Sequence, residues 1–148
     1  MLVLRAPHAG DASDLASLLG QLGYPADPRE IPARLSAFES GSTALAWVAE
    51  LQGRVVGLVT AHVIRSLHKT EVVAMLTVLV VDERSRGSGV GRAMVRTAEE
   101  WAVSQGASAI SLTSALRRTD AHEFYKRLGY EQTGVRLAKV LTPSRAPG

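Results

Sequence analysis

The chain has 148 residues, of which 46% are hydrophobic and 21% are charged, as is usual for a globular domain with its own core. It contains no cysteine, which excludes disulfides, thiolate metal sites and a cysteine nucleophile. The net charge is +3, but the basic residues do not form a basic face interleaved with aromatic residues, so we do not expect a nucleic acid as partner. No apolar run approaches the ~20 residues of a membrane span, so we do not expect a membrane as partner. Because Met1–Arg5 lacks a signal-peptide pattern, the expected location is the cytoplasm.

The first half of the sequence predicts a strand, two helices and a β-hairpin. Leucines recur at helical spacing after Asp11, which is a good N-cap, and Gly23 ends that helix. A second helix follows a proline-rich loop, and Leu51–Arg54 is typical of a hairpin turn. The predicted elements are a strand at 2–5, helices at 11–22 and 30–38, and hairpin strands at 44–50 and 55–62.

The second half predicts strands that alternate with helices. The long apolar run Val72–Val81 leads into a glycine-rich turn, and an amphipathic helix follows. The order β-α-α-β-β-β-α-β-α-β indicates a single α+β, or mixed α/β, domain over residues 1–142 with a flexible tail at 143–148. The predicted elements are a strand at 72–81, a helix at 90–103, a strand at 108–113, a helix at 120–128 and a last strand at 135–141.

The turn Arg86–Gly91 is the most informative stretch of the sequence. Its glycines allow several backbone N–H groups to converge beside the positive end of a helix dipole, and such an arrangement binds phosphate or pyrophosphate. The spacing G-x-G-x-G is not the G-x-G-x-x-G of a dinucleotide fold, and Gly91 is followed by Arg92 and Ala93, not by the lysine and hydroxyl of a P-loop. A different phosphate-bearing cofactor is one interpretation, and a purely structural tight turn is the other.

Two segments together resemble the GCN5-related N-acetyltransferases, the GNAT family. Residues 79–91 are similar to its acetyl-CoA motif, Gln/Arg-x-x-Gly-x-Gly/Ala after a strand, with Arg86, Gly89 and Gly91 at the matching positions. Residues 118–130 resemble the Arg-x-Asp-Ala-His-x-Phe-Tyr-x-x-x-Gly-Tyr pattern of one subgroup, the bacterial aminoalkylphosphonate N-acetyltransferases. The resemblance implies the GNAT fold, whose central, mostly antiparallel sheet is splayed at the cofactor cleft and flanked by about four helices.

The resemblance also implies acetyl-CoA as the acetyl donor, with CoA as product and direct transfer to a primary amine in a ternary complex. The pantetheine would pair along the edge of the central strand, and the pyrophosphate would lie on the glycine turn. Tyr125 matches the tyrosine that protonates the departing thiolate, and Arg118 contacts the cofactor or caps its own loop. The implied cofactor-binding residues are Leu79, Val80, Val81, Arg86, Gly87, Ser88, Gly89, Val90, Gly91, Arg92 and Tyr125.

The general base stays open, because many family members carry a glutamate on the central strand and this chain has Met75-Leu76-Thr77-Val78-Leu79 there. The alternatives are Glu71, His62, His68 or a water held by Thr77. No third ligand accompanies the two histidines, so no metal site is predicted. The expected catalytic residues are Tyr125, Glu71 and His62. The expected substrate residues are Tyr24, His62, His68, Thr77 and Ser114.

The acceptor stays open too. A small-molecule amine is the favoured substrate, and the alternatives are protein N-termini or lysines, or a CoA-binding regulatory module without catalysis. A homodimer is compatible with the sequence, since family members often pair through their C-terminal strands.

Overall fold

The computed structural model describes residues 1–38, 43–113 and 119–141. The chain forms two compact units, Met1–Leu112 and Thr113–Gly148, so the single domain expected over residues 1–142 stays a prediction. The elements of the first unit are β1 (Leu2–Arg5), α1 (Ala12–Leu22), α2 (Ile31–Leu35), β2 (Ala44–Leu51), β3 (Arg54–Arg65), β4 (Val72–Val81), α3 (Val90–Ser104) and β5 (Ala107–Leu112). The second unit holds α4 (Thr119–Arg127). Of the helices in these ranges, none combines the length and apolar character needed to cross a membrane.

Within the described ranges, the strands of the first unit form one sheet in the order β1-β2-β3-β4-β5. The pairs β1–β2, β2–β3 and β3–β4 are antiparallel, and β4 pairs with β5 in parallel. The parallel pair follows from the connection through α3, since parallel strands need a crossover. The predicted mixed α+β fold with a mostly antiparallel sheet is therefore confirmed, and β4 has the predicted bounds.

Helices α1 and α3 cover opposite faces of this sheet. Leu58 of β3 lies in a buried cluster with Leu15 and Leu18 of α1. A Cβ added to the neighbouring Gly57 would lie 2.7 Å from Met94 Cε of α3, so the helix packs directly against the glycine. Because successive strand residues point to opposite faces, the two helices sandwich β3 between them. The core therefore fixes where α3 begins relative to the end of β4.

The predicted N-cap position of Asp11 is confirmed, although its carboxylate bonds to partners outside α1. Asp11 occupies the N-cap position of α1, but its side chain makes no capping bond to that helix. Its carboxylate instead accepts the His8 N–H at 2.9 Å and two Arg5 guanidinium bonds, each at 2.9 Å. Because the arginine on β1 competes for both carboxylate oxygens, Asp11 ties the first strand to the start of the first helix.

The predicted last strand at 135–141 is wrong, since no strand forms among residues 128–141 of the second unit. Val135, Leu137 and Leu141 are 86%, 91% and 84% exposed. An alternating pattern makes a strand only where a neighbouring strand accepts its backbone hydrogen bonds, and this segment has no ladder partner among the described residues.

Candidate active site

Helix α3 begins with its backbone donors uncovered. Gly89 is the N-cap, and neither a side-chain cap nor an acidic residue in the first turn satisfies the helix start. The first intrahelical bond runs from the Ala93 N–H to the Gly89 carbonyl oxygen at 3.1 Å, which leaves the preceding N–H groups of the helix without an intrahelical acceptor. These donors and the helix dipole together favour an anion at this end.

The glycine turn before α3 has the shape that an anion cradle needs. Gly87 and Gly89 adopt φ values of 81° and 88°, a left-handed region that other residues enter at a cost. A Cβ added at either glycine would meet no atom within 4 Å, so the space beside the backbone is open. Residues 86–89 are all exposed. The turn is therefore an exposed glycine turn of the kind that can receive an anion, and the pyrophosphate cradle at Arg86–Gly91 stays a prediction.

Hydrogen bonds hold the beginning of this turn in place. The buried Asp82 carboxylate accepts the Arg84 N–H at 3.0 Å, and that bond, with the Arg84 guanidinium, holds the pKa of Asp82 below its ordinary value. The Asp82 N–H donates to the Val56 carbonyl at 2.7 Å, and the Glu83 N–H donates to Gln21 Oε1 at 3.0 Å. Sequence reasoning missed Asp82 and Gln21 as supports; an aspartate directly after a strand, typical of an N-cap, is the signal for the first.

Two side chains within the turn also fold back onto the backbone. Arg86 Nε donates to the carbonyl oxygen of Val81, the last residue of β4, at 3.3 Å. The Ser88 hydroxyl donates to the Ser85 carbonyl oxygen. The first bond places the Arg86 guanidinium beside the strand end, and neither bond uses an N–H group of the turn backbone.

The edge of β4 opens immediately before the turn. The parallel ladder between β4 and β5 ends at the pair Leu76–Leu112. From Val78 to Val81, β4 keeps its pairing with β3, but from Thr77 onward it has no strand partner on the β5 side among the described residues. The predicted splay of the sheet at the cofactor cleft stays a prediction, since the ladder ends where β5 itself ends, at Leu112. An extended ligand with amide groups can pair with such a free edge as an added strand does.

A β-bulge lies at the point where the sheet opens. Thr60 pairs with Val78 and Ala61 pairs with Leu76, so Thr77 is an extra residue on β4. The Thr77 Oγ1 lies 2.7 Å from Thr60 Oγ1, a hydroxyl–hydroxyl hydrogen bond. Thr77 was predicted as a substrate residue, whereas Thr60 was missed. The signal for Thr60 was a lone hydroxyl residue in the apolar strand β3.

His62 lies near this bulge, on the same face of β3 as Thr60. The two residues are two positions apart, and side chains of a strand alternate between faces. The half-buried His62 ring makes an edge-to-face contact with Phe38, with ring centroids 5.4 Å apart. Its partner across the ladder is Met75. The structure therefore brings His62 and Thr77 to one region of the sheet.

Of the other predicted catalytic and substrate residues, Glu71 is separated from the bulge along β4. Glu71 precedes β4 and lies six residues from Thr77, about 20 Å along an extended strand. His68 is exposed in the loop between β3 and β4, and Tyr24 is 70% exposed just beyond α1. Ser114 and Arg118 lie outside the described residues.

Tyr125 belongs to the second unit, on α4. Its half-buried ring makes edge-to-face contacts with Phe124 and Tyr130, at centroid distances of 5.2 Å and 5.6 Å. The Tyr130 N–H closes the end of the helix by donating to the Tyr125 carbonyl oxygen at 3.0 Å. This packing limits the rotation of the phenol ring.

Curated relatives match the chain over part of their length. An aminoalkylphosphonate N-acetyltransferase from Salmonella typhimurium is 37% identical over 89 residues, which cover 60% of this chain and 58% of the relative. The human N-acetylaspartate synthetase is 36% identical over 88 residues, which cover 60% of this chain and 28% of the synthetase. The chain thus matches less than two thirds of the length of each of these proteins.

Solved structures match almost the whole chain. A Trypanosoma brucei acetyltransferase superposes with a TM-score of 0.79 at 25% identity, over 95% of this chain and 100% of the other. The glucosamine-6-phosphate N-acetyltransferase of Arabidopsis thaliana has the same fold, with a TM-score of 0.83 at 19% identity over 95% of this chain and 99% of the other. The family model described as "Acetyltransferase (GNAT) family" matches residues 13–130. The chain therefore belongs to the GNAT acetyltransferase family.

Proposed function

We propose that the chain is an acetyl-CoA-dependent N-acetyltransferase whose acceptor is a small primary amine that carries an acidic group. One observation carries this proposal: the edge of β4 from Thr77 to Val81, which has no β5 partner among the described residues, leads into the uncapped start of α3. The names of two relatives support the acceptor class, because an aminoalkylphosphonate and an aspartate are both amines with an anionic group.

Two parts of acetyl-CoA, the pantetheine amides and the anionic pyrophosphate, would each meet matching groups on the chain. The free edge at Leu79, Val80 and Val81 suits the pantetheine amides, and the turn suits the pyrophosphate. Acetyl-CoA supplies a thioester carbonyl carbon, to which the amine nitrogen bonds as the carbon–sulfur bond breaks and CoA leaves. The proposed hydrogen-bond donors to the pyrophosphate are the Arg86 guanidinium and the backbone N–H groups of the turn and of the first helical positions. These N–H groups belong to Gly87, Ser88, Gly89, Val90, Gly91 and Arg92.

The chain's own groups would act mainly by orientation and polarisation. A backbone N–H at the open edge, fixed before reaction, would stabilise negative charge on the carbonyl oxygen. The Tyr125 phenol would give its proton to the departing sulfur. Holding the amine beside the edge would remove much of the entropic barrier to attack.

The proton that the ammonium must lose has two proposed acceptors. His62 lies on the same face as Thr60, and water at Thr77 is the alternative. Strand β4 carries no carboxylate between Val72 and Val81, and Glu71 lies about 20 Å along the strand from Thr77. Glu71 is therefore not part of the proposed mechanism.

A thiol-release screen tests this function. The protein is mixed with acetyl-CoA and a panel of aminoalkylphosphonates, acidic amino acids, polyamines, amino sugars and N-terminal peptides, and free CoA thiol is followed. We expect release with the acidic small amines. Release with peptides alone would favour a protein acetyltransferase, and tight acetyl-CoA binding without release on any amine would favour a regulatory module.

A further inference from the structure

The two threonine hydroxyls at the bulge differ in their surroundings. Thr60 is 7% exposed on β3, whereas Thr77 is exposed on β4 at the first position of the open edge. Their Oγ1 atoms are 2.7 Å apart, and the two residues are 17 positions apart in the sequence. A bulge re-aims the side chain of its extra residue. Here it directs the Thr77 hydroxyl to a buried partner on the neighbouring strand.

The direction of this hydrogen bond follows from burial. In the described part of the chain, the Thr60 hydroxyl has Thr77 Oγ1 as its hydrogen-bond partner and no other. If Thr77 were the donor, the buried Thr60 proton would have no acceptor, and a buried unsatisfied donor is costly. Burial therefore favours Thr60 as the donor and Thr77 Oγ1 as the acceptor. The Thr77 oxygen keeps one lone pair, and its proton is free to meet solvent or a ligand.

We propose that Thr60 is a positioning residue that holds the Thr77 hydroxyl ready to accept an N–H from the acceptor amine. The inference rests on the proposed N-acetyltransferase function and adds a residue to it. An amine that donates one N–H to Thr77 Oγ1 keeps its nitrogen lone pair for the attack. Thr77 does not remove the proton, because a neutral hydroxyl is too weak a base; it fixes the direction from which the nitrogen approaches.

The neighbours of the pair are consistent with this role. His62 and its ladder partner Met75 lie on the same face as Thr60, and Val78 is the ladder partner of Thr60 itself. None of these side chains is a carboxylate that would compete for the ammonium form. A neutral amine therefore meets one oriented oxygen acceptor on a largely apolar strand surface.

Steady-state kinetics on the full chain test the proposal. Thr60→Val and Thr77→Val remove a hydroxyl at nearly constant shape. Thr97→Val on α3 is the matched control, since the Thr97 hydroxyl donates to the Ala93 carbonyl oxygen of its own helix. We expect kcat to fall about tenfold for Thr77→Val, the effect of losing one well-placed hydrogen bond. The kcat of Thr60→Val should fall severalfold, and the KM for acetyl-CoA should stay unchanged in both variants. Thr97→Val should keep the wild-type kcat.

The double variant separates positioning from a structural role. If Thr60 acts through Thr77, then Thr60→Val should cost nothing further in kcat once Thr77 is already valine. Thr60→Ser should restore kcat to near the wild-type value, because it restores the donor. If Thr60→Val does not fold, Thr60→Ala, which removes the hydroxyl without adding a methyl group, takes its place.

Two results overturn the inference. A wild-type kcat for folded Thr60→Val, or losses that multiply in the double variant, would show that Thr60 does not act through Thr77. A wild-type protein that releases no thiol with any amine would instead remove the proposed function itself. The two failures are distinguishable because the first leaves the wild-type activity intact.

Discussion

At Gly89 the backbone needs φ 88° in the position from which α3 starts, and open space lies where a side chain would be. Gly89→Ala should therefore raise the KM for acetyl-CoA by about tenfold or more, because the methyl group strains the turn by roughly 1–2 kcal/mol and enters the anion cradle. Gly53→Ala is the matched control, since Gly53 has φ 78° in the remote hairpin turn. Gly53→Ala should lose a similar free energy of unfolding and keep the wild-type KM for acetyl-CoA. An equal rise of KM in both variants would contradict an anion site at Gly89.

Tyr125 gives the second prediction for a single residue. Tyr125→Phe should lower kcat by roughly 10²-fold, the usual worth of a general acid, while the KM for acetyl-CoA changes little. The control is Tyr130→Phe, because Tyr130 packs edge-to-face on Tyr125 in the same unit. A Tyr125→Phe enzyme with wild-type turnover would remove the phenol from the acid role.

Single residues differ in how far the sequence can predict them. The turn Arg86–Gly91 was predictable because its glycines, spacing and flanking elements are all local in the chain. Thr60 was not, because its partner lies 17 positions away and the contact depends on a bulge in the β3–β4 register. Glu71 shows the converse: a carboxylate close in sequence to the central strand lies at the wrong end of it.

At the scale of elements, an ion cluster joins β1, β2 and the start of α1. Arg5 makes two bonds of 2.9 Å to Asp11 and one of 3.0 Å from Nε to Glu50 Oε1. The bonds from Arg5 lower the pKa of the Asp11 carboxyl, against the opposing effect of its burial. A carboxyl whose pKa is lower in the folded state stabilises the fold above its unfolded pKa, and the gain disappears as the pH falls through the folded pKa.

Asp11→Asn should accordingly cost about 1.5–3 kcal/mol at neutral pH, the range for hydrogen bonds to a charged group. The difference in unfolding free energy between wild type and Asp11→Asn should shrink as the pH is lowered below about 4, the ordinary range of an aspartate. Urea unfolding across this pH range measures it. A difference that stays constant down to pH ~2 would show that the carboxylate charge is not what stabilises the cluster.

The sequence predicts a strand correctly where its apolar pattern coincides with hydrogen-bonded neighbours in the sheet. The bounds of β4 match the prediction because its apolar run has strands on both sides over residues 72–76. Strand β3 extends to Arg65, beyond the predicted end at His62, because Val72–Ala74 of β4 supply its partners. The expected strand at 135–141 failed because alternation alone supplies no hydrogen-bond partner.

At the scale of the whole molecule, the family follows from two separated motifs and from the fold, while the acceptor does not. Residues 13–130 match the GNAT family, so the donor half of the reaction is common to its relatives. The acceptor depends on side chains that converge through tertiary register, which one sequence does not reveal.

Binding of the donor should be visible in global stability. Acetyl-CoA at 100 times its Kd should add about 2.7 kcal/mol and raise the Tm by about 5–10 °C for a chain of this size. Differential scanning fluorimetry measures the shift, with adenosine as a control that lacks the pyrophosphate. A shift no larger than that of adenosine would contradict a pyrophosphate site at the start of α3.

The central claim is transfer of an acetyl group from acetyl-CoA to an acidic small amine, and isotope transfer tests it most directly. The protein is incubated with acetyl-CoA labelled in the acetyl group and an aminoalkylphosphonate or acidic amino acid, and the products are separated by mass spectrometry. We predict the label in an amide of the amine, formed in equal amount to free CoA. Label that stays in acetyl-CoA, or that appears only as acetate, with every amine would contradict the claim.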